Sequence, residues 1–315
     1  MPDKLHLIIA GAVLPQDAGE AAPPLPPLTT NLRALLAAMA PDGRIECGED
    51  DPSTPFELAL AQANSLPGGP GQIPWAAFET GSIGLPCAFI KLCHWQVGAD
   101  HVRLSPPEDL ALDEESSGTL LAAMAPYFLE DGITLAPYGS LPGTWLATGE
   151  VFRGLRSVSM DTLMGRHLTR SLLDGAGTPA ATLRRLQNEM QMLLYTHPVN
   201  ETRQQRGLAA VNSFWVTGAG VLEHVMAFAS DVQVESHLHA PALRRDAAAH
   251  AQAWQVVDAD TCAALLAVLR AGGSARLTLC GERAAQSFIP TRAGPWSRFK
   301  RVLGLQPLWD GREQL

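Results

Sequence analysis

A layered α/β fold with flanking helices and a smaller α+β insertion is what this sequence predicts, and three observations predict it. A short, nearly continuous apolar run at residues 5–10 has the pattern of a strand buried on both faces in a parallel sheet. Strand-like and helix-like stretches alternate along the chain, which implies an α/β layer architecture. Within that alternation, residues 134–138 and 144–148 read as two strands joined by a Gly and Pro turn, a small antiparallel insertion. The main α/β core is assigned to residues 1–85 and 220–315, and the inserted subdomain to 86–219.

Taken in order, the first strand is followed by a proline-rich loop through 23–27, after which Thr30 caps a helix running to about Met39. Thr54-Pro55-Phe56-Glu57 is a capping box with proline at the first helical position; it opens a helix through Ala63, and Gly68-Gly69-Pro70-Gly71 ends that unit. Residues 87–97 read as strand, and His94, Trp95, Asp100 and His101 crowd the turn region there. Asp113 caps a helix through about Glu130, which Asp131-Gly132 stops. Ser159, Asp161, Gly165 and Arg166 form a short capped segment before a 175–179 linker.

From Leu183 to Gly220, amphipathic helix, polar turn, short helix, strand and glycine loop follow one another without filler. Leu183, Leu186, Met190, Leu193 and Leu194 make one apolar stripe, and Pro198 prevents the helix from continuing past His197. Beyond Gly220, residues 232–234 and 254–257 read as strands, Asp258 caps a helix ended by Gly272-Gly273, and 276–279 is another short strand. The basic amphipathic tail at 295–303 reads as docking on its own domain, with a partner surface as the other reading.

A chain of 315 residues buries a large core, so one sizeable domain, or a main domain with an insertion, is expected. The formal charge of −9 argues against a general nucleic-acid-binding surface, which needs clustered Lys and Arg. Five scattered cysteines without a C-x-x-C pair suggest neither a disulfide framework nor a zinc finger, and read as reduced thiols in cytoplasm. The first apolar run is too short for a membrane span and lacks a basic leader, so no membrane partner is expected. The oligomeric state has no signature in the sequence.

His197, Asn200, Arg203, Arg206 and Asn212 gather donors, acceptors and fixed positive charge within sixteen residues, a set that suits a small anionic ligand. The run His197-Pro198-Val199-Asn200, with Arg203, Gly207, Asn212 and the strand and loop from Trp215 to Gly220, resembles the HPVN segment of archaeal-type, cofactor-independent phosphoglycerate mutases of the alkaline phosphatase superfamily. Upstream, those mutases carry a PHD-x-x-G-K segment, of which this chain keeps Asp161, Gly165 and the basic Arg166 but not the Pro-His. Taken whole, with the CHWQVGADHV run starting at Cys93, the sequence most resembles the RpfE-type regulatory proteins, a branch related to those mutases.

The resemblance implies an alkaline phosphatase-like layered sheet and ligand-binding positions at His197, Asn200, Arg203, Asn212, Asp161 and Arg166. It also implies two divalent metals that clamp the attacking and leaving oxygens, and a Ser or Thr nucleophile at a helix start. Here the sequence departs from the pattern. The first strand ends Ile9-Ala10-Gly11 where the family has a metal-binding Asp, and the late strand end Leu279-Cys280-Gly281-Glu282 lacks the family's Asp-His. No cofactor is therefore expected, and the expected function is a non-catalytic or degenerate mutase-like protein with a regulatory role, binding a small anionic metabolite or a regulatory protein partner. The other reading is a metal-dependent phosphoglycerate mutase or phosphohydrolase using Mn, Zn or Mg in a rearranged site.

Each remaining candidate has two readings. Ser53 and Thr54 stand at a helix N-terminus, which favours a phosphate, while the capping box alone explains Thr54. Glu235, His237 and His239 share a face if extended and suit zinc with an open fourth position; the same stretch reads as a solvated loop. His94 and His101, with Cys93 and Asp100, form a second group of potential metal ligands or an ordinary strand end. The HPVN segment is either an anion pocket or a keystone, with Asn200 bonding the turn's backbone and Arg203 paired to an internal carboxylate, Asp161 being the one at hand.

Overall fold

The computed structural model describes residues 4–15, 29–97, 102–104, 107–139, 141–164 and 178–291. Asp100, His101, Gly165, Arg166, the 23–27 loop and the 295–303 tail lie outside the described residues. In chain order the strands are β1 (Lys4–Ile9), β2 (Met39–Glu46), β3 (Cys87–Cys93), β4 (Trp95–Val97), β5 (Val102–Leu104), β6 (Thr134–Pro137), β7 (Thr144–Thr148), β8 (Ser213–Gly220), β9 (Val232–Glu235), β10 (Ser274–Cys280) and β11 (Ala284–Pro290). They belong to two compact units: Met1–Glu49, Thr54–Ser65 and Phe228–Leu315 form one, Asp50–Ser53 and Leu66–Ala227 the other.

In the first unit the sheet order is β2-β11-β10-β1-β9. β1 pairs in parallel with β10 on one side and β9 on the other, with Leu7 opposite Leu277 and Ile8 opposite Val234. β11 runs antiparallel to β10 and to β2. The first strand is buried on both faces, as its apolar run requires. Leu5, Leu7 and Ile9 pack with Leu35, Trp254, Leu265 and Phe288 on one side; Ile8 packs with Ala59, Cys280 and Ala285 on the other. Each fully buried Leu or Ile of this strand contributes about 1.5–3 kcal/mol, so β1 is the spine of the unit.

Some elements of the first unit differ from the sequence expectation, the cap expected at Thr30 among them, since Thr30 is already the first helical residue. Residues 254–257 are not strand but the end of the helix Ala247–Val257. Asp246 caps that helix, its carboxylate accepting from the Ala249 N–H at 2.9 Å, and the alanine-rich run behind the cap outweighs the strand preference of Val256-Val257. Asp258 does not start a helix, because it continues one, through a π-turn at Asp258–Cys262 into the helix Ala263–Arg270. Its carboxylate caps a different helix, Thr30–Ala38: Oδ1 accepts from Leu32 N at 2.8 Å and from Thr29 Oγ1 at 2.6 Å, and Oδ2 from Asn31 N at 3.1 Å. Thr29, the residue at the N-cap position, makes no side-chain cap bond of its own.

In the second unit β6-β7-β3-β8 form an antiparallel sheet, and the expected pair of inserted strands is β6 and β7. Ile90, Leu92, Trp145 and Phe214 pack on Leu120, Met124 and Phe128 of the helix Glu114–Glu130 and on Leu186, Met190 and Leu194 of the helix Thr178–Tyr195. Asp113 caps the first of these through the Ser116 N–H at 2.8 Å. β8 is an edge strand, yet every residue in it is buried. Gly218 and Gly220, read from the sequence as a loop, lie within it. At Gly218, where φ is +65°, a Cβ would come within 2.9 Å of Trp75 Cβ, so only glycine lets the helix Trp75–Thr80 lie this close. Among the described residues no helix is long and apolar enough to cross a membrane.

Candidate functional site

The stretch around His197 is built by a helix break. The helix Thr178–Tyr195 stops before Pro198, and the helix Pro198–Gln205 starts there, with His197 as its N-cap: imidazole Nδ1 accepts from the Val199 N–H at 3.2 Å. The second helix ends in a Schellman turn, Leu208 N donating to Arg203 O at 2.9 Å and Gly207 N to Gln204 O at 3.0 Å. Asn200 is buried, with Nδ2 donating to Leu194 O at 2.8 Å and to Val211 O at 2.7 Å while Oδ1 accepts from Val211 N at 2.8 Å. Arg203 is 4% exposed; Nε donates to Ala209 O at 2.8 Å and Nη2 donates to Leu110 O. Burial pulls its pKa down, against the opposing charge of Asp113. Its partners are backbone carbonyls, and the expected pairing with Asp161, which lies in the short helix Met160–Leu163, is not made.

Asn212 does for a second turn what Asn200 does for the first. Its Oδ1 accepts from Trp95 N at 2.7 Å and its Nδ2 donates to Trp95 O at 2.9 Å. Nearby, His94 Nδ1 lies 2.7 Å from the Ala210 carbonyl, a contact that only a protonated Nδ1 satisfies. Cys93 accepts from Trp95 Nε1 at 3.1 Å, and burial raises its thiol pKa far above the ordinary range, so it stays protonated. His197, Asn200 and Arg203 thus come together on one short helix and its cap, and the polar atoms described for Asn200, Arg203 and Asn212 serve the main chain.

In the first unit the place where α/β sheets carry chemistry is the carboxyl edge of the parallel strands. β1 is followed by Ala10, whose N–H donates to Glu235 O at 3.0 Å. β10 ends at Cys280-Gly281, and Gly281 N donates to Ala284 O at 2.9 Å, so this end turns straight back into β11. β9 ends at Glu235, 5% exposed, whose Oε1 accepts from His237 N at 2.9 Å and meets His237 Nδ1 at 2.6 Å. Burial alone would raise this carboxyl; the bonds from His237 outweigh it and hold it below the ordinary glutamate value. His237 itself is largely exposed. His239 opens the helix His239–Leu243 and sets its ring 6.3 Å from that of Phe56. Glu235 and His237 are therefore joined, and among the described residues no group of three His, Cys, Asp or Glu gathers to hold a metal ion.

The two hydroxyls proposed at a helix start have local partners. Thr54 Oγ1 accepts from Glu57 N at 3.2 Å and Glu57 Oε2 accepts from Thr54 N at 3.2 Å, the complete capping box of the helix Pro55–Ala63. Ser53 Oγ, buried, accepts from Gly71 N at 2.9 Å.

No protein-family profile and no curated protein matches the chain. Solved structures similar to it include the cofactor-independent phosphoglycerate mutase from Thermoplasma acidophilum DSM 1728, at 11% identity over 92% of this chain and 91% of that one, with a TM-score of 0.33. The PH0037 protein from Pyrococcus horikoshii is similar at 12% identity over 94% of this chain and 92% of that one, with a TM-score of 0.40. Both likenesses are distant.

Proposed function

We propose that this chain is a non-catalytic or degenerate phosphoglycerate-mutase-like protein of RpfE type, with a regulatory role exercised by binding a small anionic metabolite or a protein partner. The observation that carries this reading is the identity of the residues at two strand ends of the first unit, Ala10 after β1 and Cys280-Gly281 after β10. In-line phosphoryl transfer between two cations needs carboxylate and imidazole ligands; Ala10 and Gly281 have no ligating side chain, and Cys280 offers only a fully buried thiol that burial keeps protonated. Five free thiols, four of them buried, suit a reducing compartment, and the cytoplasm is the proposed location. The test is to incubate purified protein with manganese, zinc or magnesium and 3-phosphoglycerate. No interconversion with 2-phosphoglycerate is expected, and robust interconversion overturns the reading.

A second reading is favoured by the Glu235–His237 contact: a metal-dependent mutase or phosphohydrolase with a rearranged site that includes these two residues and His239. Elemental analysis of the native protein separates the two readings. This second reading requires stoichiometric manganese, zinc or magnesium that is lost in His237→Ala, and metal-free native protein removes it.

A further inference from the structure

A cleft of about 70 Å³ opens in the second unit between residues 155–158, the helix Thr178–Tyr195 and the edge of β8. Leu155, Val158 and Leu183 give it apolar walls, and Arg156 and Arg184 stand at its rim. Its floor is main chain. The Leu92 N–H points away from β8, to Gly143 O, and Leu92 is opposite Phe214. The Phe214 carbonyl correspondingly points outward from the sheet edge, where Gln187 Nε2 donates to it at 3.0 Å. Backbone groups alternate sides along an antiparallel strand, so Val216, two residues on and opposite Ile90, turns its N–H and C=O to the same outer side, into the cleft that it lines.

The surroundings are held in place. Trp215 Nε1 donates to Val158 O at 2.8 Å, Ser157 N donates to Gly71 O at 2.8 Å, and Ala219 N donates to Ser157 Oγ at 3.2 Å. The Arg156 stem lies over Gly71, where a Cβ would fall 2.8 Å from Arg156 Cγ. No carboxylate among the described residues pairs with the Arg156 guanidinium.

We propose that this cleft is a binding site for a small hydroxycarboxylate with a short apolar body. The carboxylate meets the Arg156 fork and the Val216 N–H, the hydroxyl donates to the Val216 carbonyl, and the carbon chain lies on Leu155, Val158 and Leu183. A site well under the roughly 300 Å³ of drug-sized pockets suits a short acid. The apolar walls disfavour a bare phosphate, which has a hydroxyl for the carbonyl acceptor but no apolar part to lay on Leu155, Val158 and Leu183. The proposal rests on the binding reading above and gives it a place.

The test is calorimetric titration of the full chain with 2-hydroxybutyrate, butyrate, inorganic phosphate and butylamine. Saturable binding is expected for 2-hydroxybutyrate, weaker binding for butyrate and none for butylamine. Arg156→Gln, at an exposed position, should weaken 2-hydroxybutyrate by roughly tenfold or more, while Arg283→Gln in the other unit should leave it unchanged. Absence of 2-hydroxybutyrate binding, or equal binding to wild type and Arg156→Gln, overturns the cleft. Arg156-dependent binding of phosphate in place of 2-hydroxybutyrate overturns the ligand class. Binding that survives Arg156→Gln removes the cleft and leaves the binding reading standing, whereas metal-dependent interconversion of phosphoglycerates removes the non-catalytic reading and leaves the cleft.

Discussion

The Asn200 carboxamide and the Val211 backbone bond reciprocally, Oδ1 accepting from the Val211 N–H at 2.8 Å and Nδ2 donating to the Val211 carbonyl at 2.7 Å. A side chain here stands in for a neighbouring strand, and it also takes the Leu194 carbonyl freed at the helix end. Asn200→Ala leaves three buried main-chain groups without that partner and is expected to cost about 2–4 kcal/mol. Asn200→Asp keeps the acceptor but sets a carboxylate against two carbonyls, so at neutral pH it should be at least as damaging. Urea unfolding midpoints decide this, and a loss below about 1 kcal/mol for both variants contradicts the role.

Arg203 gives the sharper separation between keystone and pocket. Its guanidinium serves the Leu110 and Ala209 carbonyls, which a single ammonium cannot reach together. Arg203→Lys is therefore expected to destabilise the unliganded protein by about 1–3 kcal/mol. Melting curves with and without 3-phosphoglycerate provide the check. Any ligand-induced shift should be the same in wild type and variant; a variant as stable as wild type that has lost its ligand shift would favour the pocket over the keystone.

Much of this architecture is legible because the signals are local. The apolar run at β1 needs burial on both faces wherever the rest of the chain goes, the Thr54–Glu57 box closes within four residues, and Pro198 breaks a helix by its own ring. What is not legible depends on partners far along the chain. Asp258 and Asn31 are 227 positions apart, and nothing near Asp258 says that its carboxylate will cap another helix. The polar content of 197–212 reads as a ligand site because side-chain type does not reveal whether a donor faces a ligand or a carbonyl, and here Leu110 supplies the carbonyl from 93 positions away. The Arg156 cleft combines three separate segments, none of which carries a motif.

The distant cap on the helix Thr30–Ala38 is testable by a cycle. Asp258→Ala removes the acceptor for Leu32 N, Asn31 N and Thr29 Oγ1 and the negative charge at that helix start, and should cost about 1–3 kcal/mol. Thr29→Ala should cost less, and its cost should shrink further when Asp258 is already alanine, because the two share a bond. Strict additivity in urea unfolding would mean that the 2.6 Å contact contributes nothing.

The stability of the first unit should also depend on pH through His6. This side chain lies on β1, with Nε2 2.8 Å from Thr278 Oγ1, which is in turn 2.8 Å from Ser287 Oγ, a polar line across β1, β10 and β11. Burial, with Arg276 and then Lys4 adding to it and Asp231 opposing, lowers its pKa from 6.5 to about 4. Because the folded value is the lower one, the unfolded chain binds the extra proton between those limits, so acid favours unfolding. Stability from this source is full above pH 6.5, falls as the pH drops toward 4, and is reduced by about 3 kcal/mol at the bottom of that window. His6→Gln keeps a hydrogen-bonding group opposite Thr278 but cannot titrate. Its unfolding free energy should therefore lose the His6 part of the pH slope that wild type shows between 6.5 and 4, leaving the slope of the other shifted groups, among them His250, which burial holds below its ordinary value, and Glu79, which burial raises and which contributes with the opposite sign. Identical slopes for wild type and His6→Gln across that range would show that His6 titrates alike in the folded and unfolded chains.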